Sequence, residues 1–170
     1  MVNRLPLTAR QPKADHPDVP DAYGVSGTTE FVEWAHVEER LRAERIYWVA
    51  TVDAEGRPRV RPVSGLYLDN AIYLNGSPDA RWVDDLAVNP RVSVHLDGPD
   101  DIVIVEGDAE VPARIPNGMA VRLAAVSNAK FPDFKRSPGD FGGPGQVAIR
   151  PRKVIAWTEF GRNPTRFRFE

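Results

Sequence analysis

The spacing of the strand-like segments between residues 46 and 111 limits what this chain can fold into. Runs of β-branched and aromatic residues alternate with very short turns, such as residues 53–56 and 68–70. Parallel strands need crossover connections of about a dozen residues or more, and these turns are far shorter. The sequence therefore predicts a mainly β fold with peripheral helices, in which six to seven antiparallel strands form a split β-barrel, closed or half-closed.

Other segments are predicted from periodicity and from turn residues. Residues 1–27 are rich in proline and small residues and predict an extended N-terminal arm, followed by a single domain over 28–170. A helix is expected over 28–44 with Thr28 or Thr29 as its N-cap, and a second one begins at Ser77 or Asp79. Trp82, Val83, Leu86 and Ala87 are expected to face inward on that second helix. A third helical run lies within 112–131, a loop spans 132–145, and strands follow at 146–150, 153–159 and 165–170, the first two being alternatively one strand broken at Pro151.

Composition excludes several classes of function. The chain has no cysteine, so disulfides and thiolate metal sites are absent. Its net charge of -2 gives no basic field for nucleic acid or a membrane surface. His16, His36 and His95 do not have metal-ligand spacing, so no metal site is expected. The N-terminus carries no apolar signal segment, and a cytoplasmic protein is expected.

A group of arginines predicts a binding site for an anion. Arg57, Arg59 and Arg61 alternate along the second strand and so share one face, and prolines on that strand make it an edge or a bulged strand. Arg81 lies near the start of the second helix, directly after a turn that contains a serine. A helix N-terminus beside a hydroxyl and an arginine suits a phosphate or another anion. The alternative is that the arginines are solvated or pair with acids.

That alternative is favoured for Arg57, whereas a binding role is favoured for Arg61 and Arg81. The adjacent acids Asp84 and Asp85, like Asp100 and Asp101, are expected to be solvent-exposed. From the residues alone, the outcome is a small β-barrel with an anion site and no named reaction.

The stretch between residues 46 and 111 contains four distinctive segments: ATVDAEGRPRVRPV, IYLNGSP, NPRVSVHL and VEGDAEV. Together they resemble the pyridoxamine 5'-phosphate oxidase-like superfamily of FMN-binding split barrels. The resemblance implies a homodimer with two cofactor sites at the subunit interface. It also implies FMN in some branches, the deazaflavin F420 in others, and haem or no cofactor in a few. No nucleic acid or membrane partner is implied.

The resemblance assigns cofactor-binding roles to particular residues. It implies that Arg61 binds the cofactor and that the backbone of Pro62, Val63 and Ser64 lies along its ring. It places Asn75, Gly76 and Ser77 near the phosphate, followed by Arg81 and Trp82 in place of an Arg-Lys pair. Leu66 and Ile102 stand where the oxidase has a lysine and a glutamine, so oxidation of pyridoxamine phosphate itself is not expected.

The C-terminal segment resembles the F420-type branch through Trp157, Arg166 and Phe167. The expected function is an oxidoreductase that uses F420, or alternatively FMN, to transfer hydride to a small conjugated organic substrate. No catalytic side chain is assigned. The alternative is a non-catalytic carrier or sensor for haem or a flavin, with His95 as a candidate ligand.

Overall fold

A computed structural model describes residues 11–25 and 27–169 of the chain. The predicted arm at residues 1–10 lies outside this range, but the end of the arm is described. The described strands are β1 Lys13–Asp15, β2 Ile46–Val52, β3 Pro58–Leu68, β4 Ala71–Asn75, β5 Arg91–Leu96, β6 Ile102–Glu110, β7 Gln146–Trp157 and β8 Thr165–Arg168. The α-helices are α1 Trp34–Ala43, α2 Arg81–Val88 and α3 Asn117–Lys130, and single 3-10 turns occur at Asp21–Tyr23, Pro132–Phe134 and Pro138–Asp140.

All strand pairings are antiparallel, and six of the strands form a closed barrel. The sheet order is β1-β8-β7-β4-β3-β2-β5-β6, and β6 also pairs with β7. That last pairing closes the barrel, while β8 and β1 extend the sheet beyond β7. The predicted fold, mainly β with a split barrel and peripheral helices, is confirmed. Residues in the middle of the predicted arm form β1, which pairs with the C-terminal strand of the same chain.

The core fills the barrel because alternate residues of each strand point inward. On β2 the inward residues Tyr47 and Val49 are fully buried. Helix α1 adds Val37 and Leu41 to the same core, and the Tyr47 hydroxyl donates a hydrogen bond to the Leu41 carbonyl. Because a buried hydroxyl costs free energy unless it is paired, this bond fixes how α1 sits on the barrel.

Strand β3 changes partners halfway along its length. Residues 58–64 pair with β2, whereas residues 65–68 pair with β4. In the described chain, the first half of β3 therefore has one backbone edge without a strand neighbour. Pro58 and Pro62 lie on this half, as the prediction of an edge or bulged strand requires.

The first helix begins later than its sequence predicts. It starts at Trp34 with Glu33 as the cap residue, so the expected N-cap at Thr28 or Thr29 is wrong. The Thr28 hydroxyl donates instead to the Arg162 carbonyl, and the backbone N–H of Val32 donates to Oγ1 of Thr165 at 2.8 Å. These contacts with the C-terminal strand region hold residues 28–33 outside the helix.

Helix α2 also differs in detail from its prediction. Its cap residue is Ala80, because Ser77 forms a turn in which its carbonyl accepts from the Ala80 N–H at 3.0 Å. Ala87 is exposed, so only Trp82, Val83 and Leu86 of the expected inward set are buried. Strand β7 is a single strand from Gln146 to Trp157, so the prediction of two strands is wrong, and the chain is not broken at Pro151 as the alternative prediction has it. In the described residues, no helix is both long and apolar enough to cross a membrane.

Candidate cofactor site

Two arginines at the β2–β3 hairpin, Arg57 just before β3 and Arg59 on it, are held in ion pairs. Asp53 is buried and accepts from the backbone N–H of Arg57 at 2.9 Å, from Arg57 Nε at 2.8 Å and from an Arg59 amino group at 2.8 Å. The backbone hydrogen bond from Arg57 is the largest influence holding the pKa of Asp53 below its usual value. The predicted pairing of Arg57 with acids is confirmed, and Arg59 is neutralised in the same way.

Asp85 belongs to this network, and its expected exposure is wrong. It is buried on α2 and accepts a hydrogen bond from the Thr51 hydroxyl at 3.0 Å, with Arg59 3.8 Å away. Its neighbour Asp84 is exposed as expected. Asp101 was also expected to be exposed, but it is half-buried and binds Arg40 at 2.6 Å. Asp85 and Asp101 are therefore not solvated like their neighbours, because tertiary contacts bring a cationic or hydroxyl partner to each of them.

Arg61 on β3 differs from Arg57 and Arg59. It lies directly opposite the buried Val49 and is half-buried. Its Nε is buried and has no hydrogen-bond partner, and it forms no ion pair within residues 11–25 and 27–169. A buried guanidinium donor without an acceptor is costly, so an anionic or carbonyl oxygen brought to this point would be bound favourably.

The turn that carries Asn75, Gly76 and Ser77 lies beside the unpaired half of β3. Residue pairing places Gly65 opposite Leu74, so Ser64 and Asn75 come next to each other where β4 stops pairing. Ser64 and Asn75 line one pocket. The structure thus brings together the end of the β3 stretch and the beginning of the turn, two parts of the predicted site that are distant in sequence.

Packing against the 132–145 loop fixes this turn. The Gly76 N–H donates to the Gly145 carbonyl at 3.0 Å, and the Asn75 amide donates to the Asp140 carbonyl at 3.3 Å. A Cβ on Gly145 would lie 2.0 Å from the Gly76 carbonyl oxygen, so only glycine permits this approach. The predicted loop is therefore part of the candidate site.

Arg81 and Trp82 follow the turn at the start of α2 and point in different directions. Arg81 is exposed and takes part in no ion pair within the described residues. Trp82 is buried in the barrel core, where a Cβ on Gly76 would lie 2.5 Å from its indole. The tryptophan side chain therefore supports the turn from beneath, and its contact with Gly76 requires a residue without a side chain.

The pocket beside Ser64 and Asn75 has aromatic walls. Besides strand residues, it is lined by residues of the loop region: Phe131, Phe134, Arg136 and Phe141. At its base, the buried Gln146 amide donates to the Leu74 carbonyl at 2.9 Å, whereas its Oε1 has no partner in the described structure. Sequence reasoning missed this pocket, because its walls come from the outer sheet face and a loop about 70 residues away.

Lys130 is a further residue that the sequence did not single out. Its Nζ donates to the Gly65 carbonyl at 3.1 Å and lies over the Tyr47 ring. Burial lowers the pKa of Lys130 to about 8. A desolvated ammonium is thus bound to the backbone one residue beyond Ser64, and it adds positive potential behind β3.

The remaining predicted positions lie elsewhere in the fold. His95 is exposed on β5, with its ring parallel to that of Trp48 and centroids 6.1 Å apart. Phe167 packs on Trp34 in the core, and Arg166 holds β1 through two bonds to Asp15, at 2.7 and 3.1 Å. These two members of the C-terminal motif have structural contacts in this chain. Three further residues singled out by the resemblance, Leu66, Ile102 and Trp157, are partly or fully buried. Trp157 and Ile102 are paired across β6 and β7, and Leu66 lies under α3.

The fold defines a split-barrel protein, in which the candidate anion site lies at the open half of β3. The family model described as pyridoxamine 5'-phosphate oxidase matches residues 34–155. The chain therefore belongs to the pyridoxamine 5'-phosphate oxidase family. No curated protein sequence matches it.

Several solved structures share the fold. The haem storage protein HutZ from Vibrio cholerae is 18% identical with a TM-score of 0.59, covering 75% of this chain and 97% of that one. An F420 reductase is 19% identical with a TM-score of 0.52, covering 69% and 94%. An FAD-binding protein from Mesorhizobium loti is 19% identical with a TM-score of 0.56, covering 82% and 96%. At such low identity these likenesses establish the fold and leave the ligand open.

Proposed function

We propose that this protein is an oxidoreductase that binds F420, with FMN as the alternative cofactor, and transfers hydride to a small conjugated organic substrate. The observation that carries the proposal is Arg61, whose buried Nε lacks an acceptor while the nearby Arg57 and Arg59 are both neutralised. An anionic or carbonyl oxygen of the cofactor would supply the acceptor.

The residues around Arg61 fit a flat, anionic cofactor. The unpaired edge of residues 58–64 offers backbone hydrogen-bonding groups, which a ring edge at Pro62, Val63 and Ser64 would satisfy. Asn75, Gly76 and Ser77 form a turn held by the 132–145 loop, and the exposed Arg81 adds a second positive charge. When bound, F420 or FMN supplies the hydride chemistry, and the protein binds and orients it.

F420 is favoured over FMN by the residue that follows Arg81. In the oxidase that the sequence resembles, this position is a lysine, which would add a second cation beside the phosphate. Here Trp82 points into the core, so Arg81 has no adjacent cation on the helix. A terminal phosphate that depends on two adjacent cations would be held less firmly, whereas a cofactor with further anionic groups along its length has other points of attachment.

The aromatic pocket beside Ser64 and Asn75 suits the organic substrate. Phe131, Phe134 and Phe141 provide flat apolar walls, and Arg136 lies at the same pocket. Stacking of a conjugated ring against such walls contributes about 0.5–1.5 kcal/mol beyond its burial. The ammonium of Lys130 behind Gly65 contributes positive potential at the adjoining strand.

The proposal includes a homodimer with the cofactor sites at the subunit interface. The outer face of the barrel carries a row of directly opposed residues across five strands: Pro62, Trp48, His95, Ile104 and Ile155. Each is partly or fully exposed, and the row ends at the strand that carries Arg61. Light scattering after size-exclusion chromatography should give twice the mass of 18.9 kDa, and a monomer would contradict this part of the proposal.

The direct test is titration of the purified protein with F420 and, separately, with FMN, followed by cofactor fluorescence. We expect saturable binding of F420 with a dissociation constant in the micromolar range, about -8 kcal/mol, and weaker binding of FMN. Tighter binding of FMN would make FMN the preferred cofactor and F420 the alternative. Absence of saturable binding of both would refute the proposal.

A second candidate function rests on His95. Its exposed ring lies parallel to that of Trp48, and among the described residues its one hydrogen-bond contact is from Nδ1 to the Leu96 carbonyl at 3.3 Å. The other nitrogen is available to a haem iron, so a non-catalytic haem carrier is the competing function. Addition of haem should then give a Soret band that His95→Ala abolishes, and an unchanged band would remove His95 as the ligand.

A further inference from the structure

Three cationic residues lie directly opposite one another on the outer face of the sheet, where β8 and β1 extend it beyond β7. Lys153 on β7 is paired with Arg168 on β8, which is paired in turn with Lys13 on β1. Directly opposite side chains on one face have Cβ atoms about 4.5–5.5 Å apart, and like charges in such pairs are destabilising. The row thus concentrates repulsion on a protein whose net charge is -2.

A bulge adds a fourth cation to the same face. Consecutive residues of a strand normally point to opposite faces. Strand β7 has one extra residue opposite β6, because Glu106 pairs with Lys153 while Gly107 pairs with Pro151. Arg152 is the extra residue, and as a result both Arg152 and Lys153 line one pocket.

Gly107 makes this bulge possible. A Cβ at Gly107 would lie 2.3 Å from the Arg150 carbonyl oxygen, so the two strands approach too closely there for any side chain. The close approach occurs where the register shifts. The placement of two successive cations in one pocket is therefore built into the backbone and does not depend on flexible side chains alone.

The acids around the pocket do not balance these cations. The pocket is about 380 Å³ in volume and is lined by Lys13, Arg152, Lys153, Arg168, Asp15, Glu106 and Phe169. Glu106 binds Lys153 at 2.8 Å, and Asp15 is shared between Arg168 at 2.9 Å and Arg166 at 2.7 Å. Arg152 is paired with Asp108, which lies outside the lining. Lys13 forms no ion pair with any described residue.

We propose that this pocket binds a compact anion with at least two negative charges, of the pyrophosphate or polycarboxylate class. Its four cations converge from three strands, its volume fits a small molecule, and Lys13 is left for the ligand. The pocket is distinct from the candidate cofactor site, since none of its residues belongs to that site. Bound anion relieves the repulsion along the cation row.

Calorimetric titration of the full chain with sodium pyrophosphate at low salt tests the proposal. We expect saturable binding with a dissociation constant below about 1 mM, weakened by added salt. Lys13→Gln and Arg152→Gln should each weaken binding about tenfold, the loss of one charge-assisted contact. Arg114→Gln removes an exposed cation outside the pocket and should leave binding unchanged. Citrate in place of pyrophosphate separates a carboxylate ligand from a phosphate ligand.

Three outcomes would overturn the proposal. The first is the absence of saturable binding of either anion to the wild-type chain. The second is equal binding by the wild type and by both pocket variants, with circular dichroism showing that they fold. The third is tighter binding of a single-stranded oligonucleotide that Lys13→Gln and Arg152→Gln also weaken, which would assign the surface to nucleic acid.

Discussion

The arginines at the β2–β3 hairpin and the arginine in the middle of β3 are in opposite electrostatic surroundings. At the hairpin end, Arg57 and Arg59 are bound by Asp53, with Asp85 nearby. Two residues further along, Arg61 has a buried Nε and no partner among the described residues. The same residue type therefore occurs in two different states at neighbouring positions. Ion pairs hold the arginines at the hairpin, whereas we propose that the unpartnered Arg61 binds a ligand.

The largest effect on stability is expected from Gly145→Ala, which tests whether the candidate site around Arg61 depends on the 132–145 loop. The new Cβ would meet the Gly76 carbonyl oxygen at 2.0 Å, and one of the two backbones must move. Overpacking of this kind should cost about 3 kcal/mol of unfolding free energy, measured by urea denaturation. Gly143→Ala is the matched control, because a Cβ there meets no atom within 4 Å. Equal stability of the two variants would show that the loop contact is not required.

Asp85→Ala tests whether the buried network at the β2–β3 hairpin stabilises the fold. It removes the buried acceptor of the Thr51 hydroxyl and the acid beside Arg59, so an unfolding loss of about 2 kcal/mol is expected. Asp84→Ala, the exposed neighbour, should change stability by less than about 0.5 kcal/mol. A loss of the same size in both variants would mean that the buried network does not distinguish the two acids.

The hairpin network should also make stability depend on pH. Hydrogen bonds from Arg57 hold the pKa of Asp53 below its value in the unfolded chain, about 3.9. The contribution of Asp53 is therefore complete above that pH and is lost as the pH falls through the lower folded value. Urea midpoints measured from pH 7 to pH 3 should decline less in Asp53→Asn than in the wild type. Parallel curves would contradict the role given to Asp53.

Arg81→Ala should have the smallest effect, and it sharpens the comparison within the site. Arg81 is exposed, so solvent screens its attraction for an anion far more than it screens that of Arg61. Exposed charge pairs contribute up to about 1 kcal/mol, so cofactor affinity should fall by no more than about fivefold in a fluorescence titration. A loss as large as that of an Arg61 variant would place the main anionic contact at the helix instead.

The features that the sequence predicted well are those set by neighbouring residues. The antiparallel barrel follows from short turns, and the turn before Arg57 contains Gly56 at a φ of 81°, as expected. The pairing of Arg57 with acids was likewise predictable, since Asp53 and Glu55 are close in sequence.

Features that depend on distant residues could not be predicted. Thr28 did not cap the first helix because the Arg162 carbonyl, 134 residues away, accepts its hydroxyl. Asp85 is buried because Thr51 and Arg59 come to it from other elements. The contact of Gly145 with Gly76 joins a loop to a turn 69 residues away. In each case the deciding partner is brought near only when the barrel closes.

The most direct measurement of the central claim is a crossed comparison of Arg61→Ala and Arg59→Ala, with F420 and FMN affinity and urea unfolding determined for both. Arg61→Ala should weaken binding of the preferred cofactor by about 1.5–3 kcal/mol and should not lower the urea midpoint, because it removes a buried donor that has no partner. Arg59→Ala should lower the urea midpoint and leave cofactor affinity within about twofold, since its charge is already held by Asp53. If Arg61→Ala binds as the wild type does, or if both variants lose affinity equally, the claim that β3 separates a stabilising end from a binding centre is wrong.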